Sequence, residues 1–63
     1  MAHVEVKADA RAMLGAGRVL QDSDFAVIVD NVCDDLHYAP TFELRAELIS
    51  DARRAYNDAR ESV

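Results

Sequence analysis

Phe25-Ala26-Val27-Ile28-Val29-Asp30-Asn31-Val32-Cys33-Asp34-Asp35-Leu36 is the stretch on which the fold turns. Its first five residues are apolar and rich in β-branched side chains, which suits a buried strand. Beyond Val29 the period argues otherwise. Phe25, Val29, Val32 and Leu36 fall at i, i+4, i+7 and i+11, flanked by Ile28 and Cys33, and so line one stripe of a helix. A strand ending at Val29 leaves Val32 and Leu36 without a role, whereas a helix uses both. The segment is read as helical, capped by Asp22 or Ser23 and stopped at Ala39, because Pro40 disfavours helical backbone in the residue before it. Val27 points away from the apolar stripe, among Asp24, Asn31 and Asp34.

Downstream, Thr41 is placed to cap a longer helix. Glu43 lies near its positive end, and Arg53, Arg54 and Arg60 lie toward its negative end. Phe42, Leu44, Leu48, Ile49, Ala52, Ala55, Tyr56 and Ala59 share one face, and the alanines let another helix approach closely. Arg45 interrupts that face and must either extend past it or meet a carboxylate on a neighbouring element. Upstream, Val6, Ala10, Met13, Gly17 and Leu20 line a helical face, but His3-Val4-Glu5-Val6-Lys7 also alternates as a half-buried strand does. A lone strand has no partner elsewhere in the sequence, so a helix is preferred, ending near Gly15. Gly15-Ala16-Gly17 matches the start of a dinucleotide fingerprint, yet no third glycine follows, and it reads as a turn.

The expected fold is all-α: one small domain over residues 1–63, with helices over about 5–14, 23–37 and 42–61. Helices two and three form an antiparallel hairpin across Ala39-Pro40-Thr41, and the first covers their groove. A chain of 63 residues buries only ~60% of its unfolded surface. Cys33 is the single cysteine, so no internal disulfide compensates, and a homodimer is expected, joined through the alanine-rich stripe of the third helix or through the first segment. The first residues lack the apolar run of a signal peptide, and the apolar run at 25–29 is too short to cross a bilayer. A cytoplasmic location is expected. Arginine outnumbers lysine six to one, and alanine, aspartate and valine abound, a composition expected of a GC-rich bacterial or phage gene.

Charge narrows the function classes. The net charge of −5 opposes a nucleic-acid backbone or an anionic membrane as the main partner. It is also local: residues 1–17 are neutral, residues 18–40 carry −4 and residues 41–63 carry −1. Asp24, Val27, Asp30, Asp34 and Asp35 are the candidate partner-binding residues, an acidic face with one apolar side chain for a basic protein surface. Asp34 and Asp35 stand at the negative pole of their helix, against local preference, which calls for compensation by Arg45, Arg53 or a partner. Cys33 and His37 have i, i+4 spacing and are the candidate metal ligands, although capping by His37 and core packing by Cys33 explain them more simply. No cofactor and no catalytic residue is expected. Glu61-Ser62-Val63 ends in the kind of apolar carboxylate that peptide-binding domains read.

Together these features point to a non-catalytic accessory, inhibitory or assembly factor that acts by protein–protein contact. An alternative starts from Val4-Glu5-Val6-Lys7 followed by two helices, which resembles a ribbon-helix-helix domain over about residues 3–38. That resemblance implies a dimeric, antitoxin-like regulator, with His3, Glu5 and Lys7 outward on a strand entering the DNA major groove.

Overall fold

The computed structural model describes residues 2–61, so the Ser62-Val63 end lies outside the described residues. The chain forms α1 (Ala2–Gly15), α2 (Asp22–Asp35) and α3 (Phe42–Glu61), with no strand among those residues. In α3, the Leu44 N–H donates to Thr41 Oγ1 at 3.2 Å, so Thr41 satisfies one of the amides that a helix start leaves unpaired. Its 20 residues, at ~1.5 Å each, account for most of the 33 Å long axis of the bundle.

At the start of α2 the cap is Gln21, one residue before the expected Asp22 or Ser23. The reason lies three residues on. Asp24 is the nearest acid able to reach back, and its carboxylate accepts the Gln21 N–H at 2.8 Å. Asp22 becomes the first helical residue, and its carboxylate lies 3.2 Å from Arg53 Nε of α3.

The helix ends are built alike. After α2, the Tyr38 N–H donates to the Cys33 carbonyl at 2.8 Å and the His37 N–H to the Asp34 carbonyl at 3.1 Å. After α1, the Arg18 N–H donates to Met13 at 3.1 Å and the Gly17 N–H to Leu14 at 2.9 Å. Both are Schellman turns, which need a left-handed residue just past the helix. Gly17 supplies it with φ 79°, and His37 with φ 52°. The turn at His37 stops α2 at Asp35, before Pro40 can act, which corrects the expected end at residue 37.

α1 begins at Ala2 and takes in the residues that also alternate as a strand. Val6 and Ala10, one helical turn apart, are fully buried, and the helix satisfies backbone groups that a lone strand would leave unpaired. The core joins them to Phe25, Ile28, Val29, Val32 and Cys33 of α2 and to Leu48, Ala52 and Tyr56 of α3. α1 packs most extensively on α3, and Ala52 and Ala55 are buried there. Ala52 and Ala55 of the alanine stripe are thus buried within the chain itself. Gly17 leaves the expected α1 face because it forms the turn.

Tyr56 ties the elements together. Its ring meets Phe25 edge-on at 5.5 Å and 67°. Its hydroxyl donates to the Arg18 carbonyl at 3.1 Å and accepts from the Leu20 N–H at 3.2 Å, pinning the α1–α2 loop to α3. Two large apolar residues of the expected stripes are exposed. Leu36 is 39% exposed and Phe42 is 85% exposed, because each stands at a helix terminus where the opposite helices no longer cover it. No helix among the described residues is long and apolar enough to cross a membrane.

Candidate functional site

The five residues of the candidate acidic face divide into two kinds. Asp24 is half-buried and occupied with the Gln21 amide at the start of α2. Asp30 receives two parallel hydrogen bonds from Arg45, Nε to Oδ1 at 2.9 Å and Nη2 to Oδ2 at 3.0 Å. That forked contact holds the Asp30 carboxyl below its ordinary pKa, chiefly through the hydrogen bonds, which outweigh the opposing effect of burial, with a lesser contribution from the positive charge of Arg45. Arg45 is shifted upward by the same contact. The interruption of the α3 apolar face therefore has a definite partner on α2.

Val27, Asp34 and Asp35 remain open. Val27 is 56% exposed, and both aspartates are exposed. Neither the Asp34 nor the Asp35 carboxylate has a hydrogen-bond or ion-pair partner among the described residues. Val27, Asn31 and Asp34 follow one another at i, i+4 and i+7, so the valine and the free acid share a line of the helix surface. The last turn of α2 contains no basic residue, so the negative pole of the helix and the two carboxylates reinforce one another.

Cys33 and His37 stand in different surroundings. Cys33 is buried in the core, whereas His37 is exposed and lies beyond the last helical residue in a left-handed conformation. Helical i, i+4 geometry does not extend across that turn. Among the described residues, no group of three or more histidine, cysteine, aspartate or glutamate side chains is arranged to hold a metal ion.

Sequence reasoning missed a groove of about 470 Å³ at one end of the bundle, lined by Ala2, His3, Leu36, Tyr38, Leu44 and Leu48. Most of its wall is apolar, and it opens to solvent. The Schellman turn at His37 delivers Leu36 and Tyr38, the first turns of α3 deliver Leu44 and Leu48, and the start of α1 closes the third side. His3 is fixed by a 2.5 Å contact from Nδ1 to Asp51 Oδ2, which ties the first turn of α1 to the middle of α3. The stripe reading pointed inward for Leu36 and Leu44. Nothing in their spacing reveals that the stripes run past the end of the bundle.

No protein-family model matches the chain, and neither a curated protein nor a solved structure matches it.

Proposed function

We propose that this chain is a non-catalytic accessory, inhibitory or assembly factor that acts by contact, with the C-terminal half of the α2 surface meeting a basic face of another protein. One observation carries the reading. Arg45 is committed to Asp30 and Arg53 lies beside Asp22 at the other end of α2, while Asp34 and Asp35 stay unpaired among the described residues. Two like charges beside a negative helix pole raise the free energy of the isolated chain, and a cationic partner removes that cost. Electrostatics of this kind raise encounter rate and selectivity more than affinity. Asp22 and Phe25 near the start of α2 meet Arg53 and Tyr56 in the C-terminal half of α3, and Asp30 farther along meets Arg45 near its start, which supports an antiparallel α2–α3 hairpin as the frame that presents the face.

Affinity capture with the intact chain and with an Asp34→Lys, Asp35→Lys variant tests this reading. The expected result is a partner retained by the native chain at low salt, released at high salt and lost in the double variant. Identical capture by both proteins overturns it, provided circular dichroism gives them equal helicity.

Homodimerisation is a second proposal, favoured by Val4, Ala8 and Ala12, which are exposed at i, i+4 and i+8 along α1. Light scattering across micromolar concentrations reads it directly, and a constant monomer mass overturns it.

A further inference from the structure

We infer that two copies of this chain pair through α1 with the two helices parallel, an inference that rests on the homodimer proposal above and gives it a surface and an orientation. Val6 and Ala10 are fully buried, so the opposite side of α1 faces solvent, and the exposed Val4, Ala8 and Ala12 run along it. At roughly 100° per residue, the residue after a member of that line falls on one flank and the residue before it on the other. Glu5 and Asp9 follow Val4 and Ala8, whereas Lys7 and Arg11 precede Ala8 and Ala12. One face of α1 is therefore bordered by an acidic row and a basic row. The basic row lies on the α3 side, where Lys7 and Arg11 line a shallow cleft with Asp51, Arg54 and Asp58.

The four charges are unmet within the chain. None of them has an ion-pair partner among the described residues. Asp51, which shares the cleft with Lys7 and Arg11, is held by His3. Each row repeats one sign at i, i+4, which weakens an isolated helix, and no opposite charge stands three or four residues from any of the four. A basic partner would meet cations here and an acidic partner would meet acids, but a copy of the same helix answers both rows. Its orientation follows from symmetry. A two-fold axis along the helices sets the acidic flank of each copy against the basic flank of the other, whereas an axis across them sets acid against acid. Lys7 stands midway between Glu5 and Asp9 along the chain, so the rows interleave when the copies are in register. Residues 1–17 carry no net charge while the remainder carries −5, so α1 is where two copies meet with least repulsion.

The test uses the whole chain, whose one native thiol, Cys33, is buried. Val4→Cys and Ala12→Cys each add a thiol at an exposed position. In a parallel pair position 4 meets position 4, and in an antiparallel pair it meets position 12. The expected result is a dimer mass by light scattering, with an added mild oxidant linking Val4→Cys chains to one another at least about tenfold faster than to Ala12→Cys chains. Two charge variants, Glu5→Lys with Asp9→Lys and Lys7→Glu with Arg11→Glu, should each weaken dimerisation at least about tenfold, and their equimolar mixture should restore it. Restoration in the mixture also separates lost pairing from lost folding. Preferred linkage of position 4 to position 12 overturns the parallel arrangement. A dimer indifferent to both charge variants, or a mixture that stays dissociated, overturns the α1 surface and leaves homodimerisation standing. A constant monomer mass overturns both.

Discussion

Gly17 and His37 occupy the same position in two equivalent turns: each is the left-handed residue that closes a Schellman motif, at φ 79° and φ 52°. The hydrogen-bond pattern around them is identical, from the second residue past the cap to the third before it and from the left-handed residue to the second before it. Glycine adopts this conformation freely, whereas a side chain at Cβ crowds the neighbouring carbonyl. Only one of the two turns has the residue that backbone sterics prefer.

His37→Gly is therefore expected to stabilise the chain. Relief of left-handed strain contributes ~1–2 kcal/mol, and the greater freedom of glycine in the unfolded state offsets ~0.5–1 kcal/mol of it, for a net gain of about 0.5–1 kcal/mol. A Cβ at Gly17 meets no atom within 4 Å, so Gly17→Ala carries only the backbone penalty and loses a similar amount. Urea unfolding of the two variants reads both signs. A less stable His37→Gly protein would mean that the imidazole makes a contact whose loss outweighs the strain.

Tyr56→Phe keeps the edge contact with Phe25 and the buried ring but leaves the Arg18 carbonyl and the Leu20 amide without their partner. The expected loss is about 1–2 kcal/mol, since each group is only partly shielded from water. Amide exchange separates this from a general effect: protection at Leu20 falls further than protection in the middle of α3.

The Asp30–Arg45 contact predicts a specific pH behaviour. The Asp30 pKa is lowered by folding, so its contribution is complete above the ordinary carboxylate value of about 3.8 and disappears as the pH falls through the lowered folded value. The contribution is small because the Asp30 side chain is more than half exposed and that of Arg45 more than a third, so water screens the pair. Carboxyl carbon shifts followed by NMR should give Asp30 a midpoint below that reference, and Arg45→Gln should raise it. An unchanged midpoint in that variant removes the forked contact as the cause.

Thr41→Ala removes the side-chain acceptor for the Leu44 amide at the start of α3. About 1 kcal/mol of stability is expected to go with it, as for other helix caps. Thr41→Ser retains the acceptor and should restore most of the loss, which thermal unfolding of the pair checks.

Much of the helical pattern was legible in the sequence because helix periodicity is a local property. Phe25, Val29 and Val32 repeat at helical spacing and are buried, as are Leu48, Ala52 and Tyr56, and Thr41 caps the helix that its side chain suits. The segment around residues 3–7 was ambiguous because strand and helix patterns both fit it, and burial of Val6 and Ala10 against the other helices decided between them.

The candidate surface was legible only in part. Sequence identifies which residues are acidic, but the pairing of an acid depends on what another element brings within hydrogen-bond distance. Of the five candidates, Asp24 is used by the cap at Gln21 and Asp30 by Arg45, while Val27, Asp34 and Asp35 stay open. Cys33 and His37 share a spacing that suggests proximity, and the left-handed turn between helix and loop separates their environments.

By itself the sequence determined three things: the helical period of each segment, the concentration of negative charge in residues 18–40, and the absence of an internal disulfide. Each follows from the order of residues alone. Tertiary structure decided where the apolar stripes run out and which charges are cancelled. Stripes end wherever neighbouring helices stop covering them, so Leu36 lines an open groove and Leu44 divides its surface between that groove and the core. Charges are cancelled across helices, so Asp30 is answered by a residue fifteen positions away while Asp34 and Asp35, nearer in sequence to the same arginine, are not.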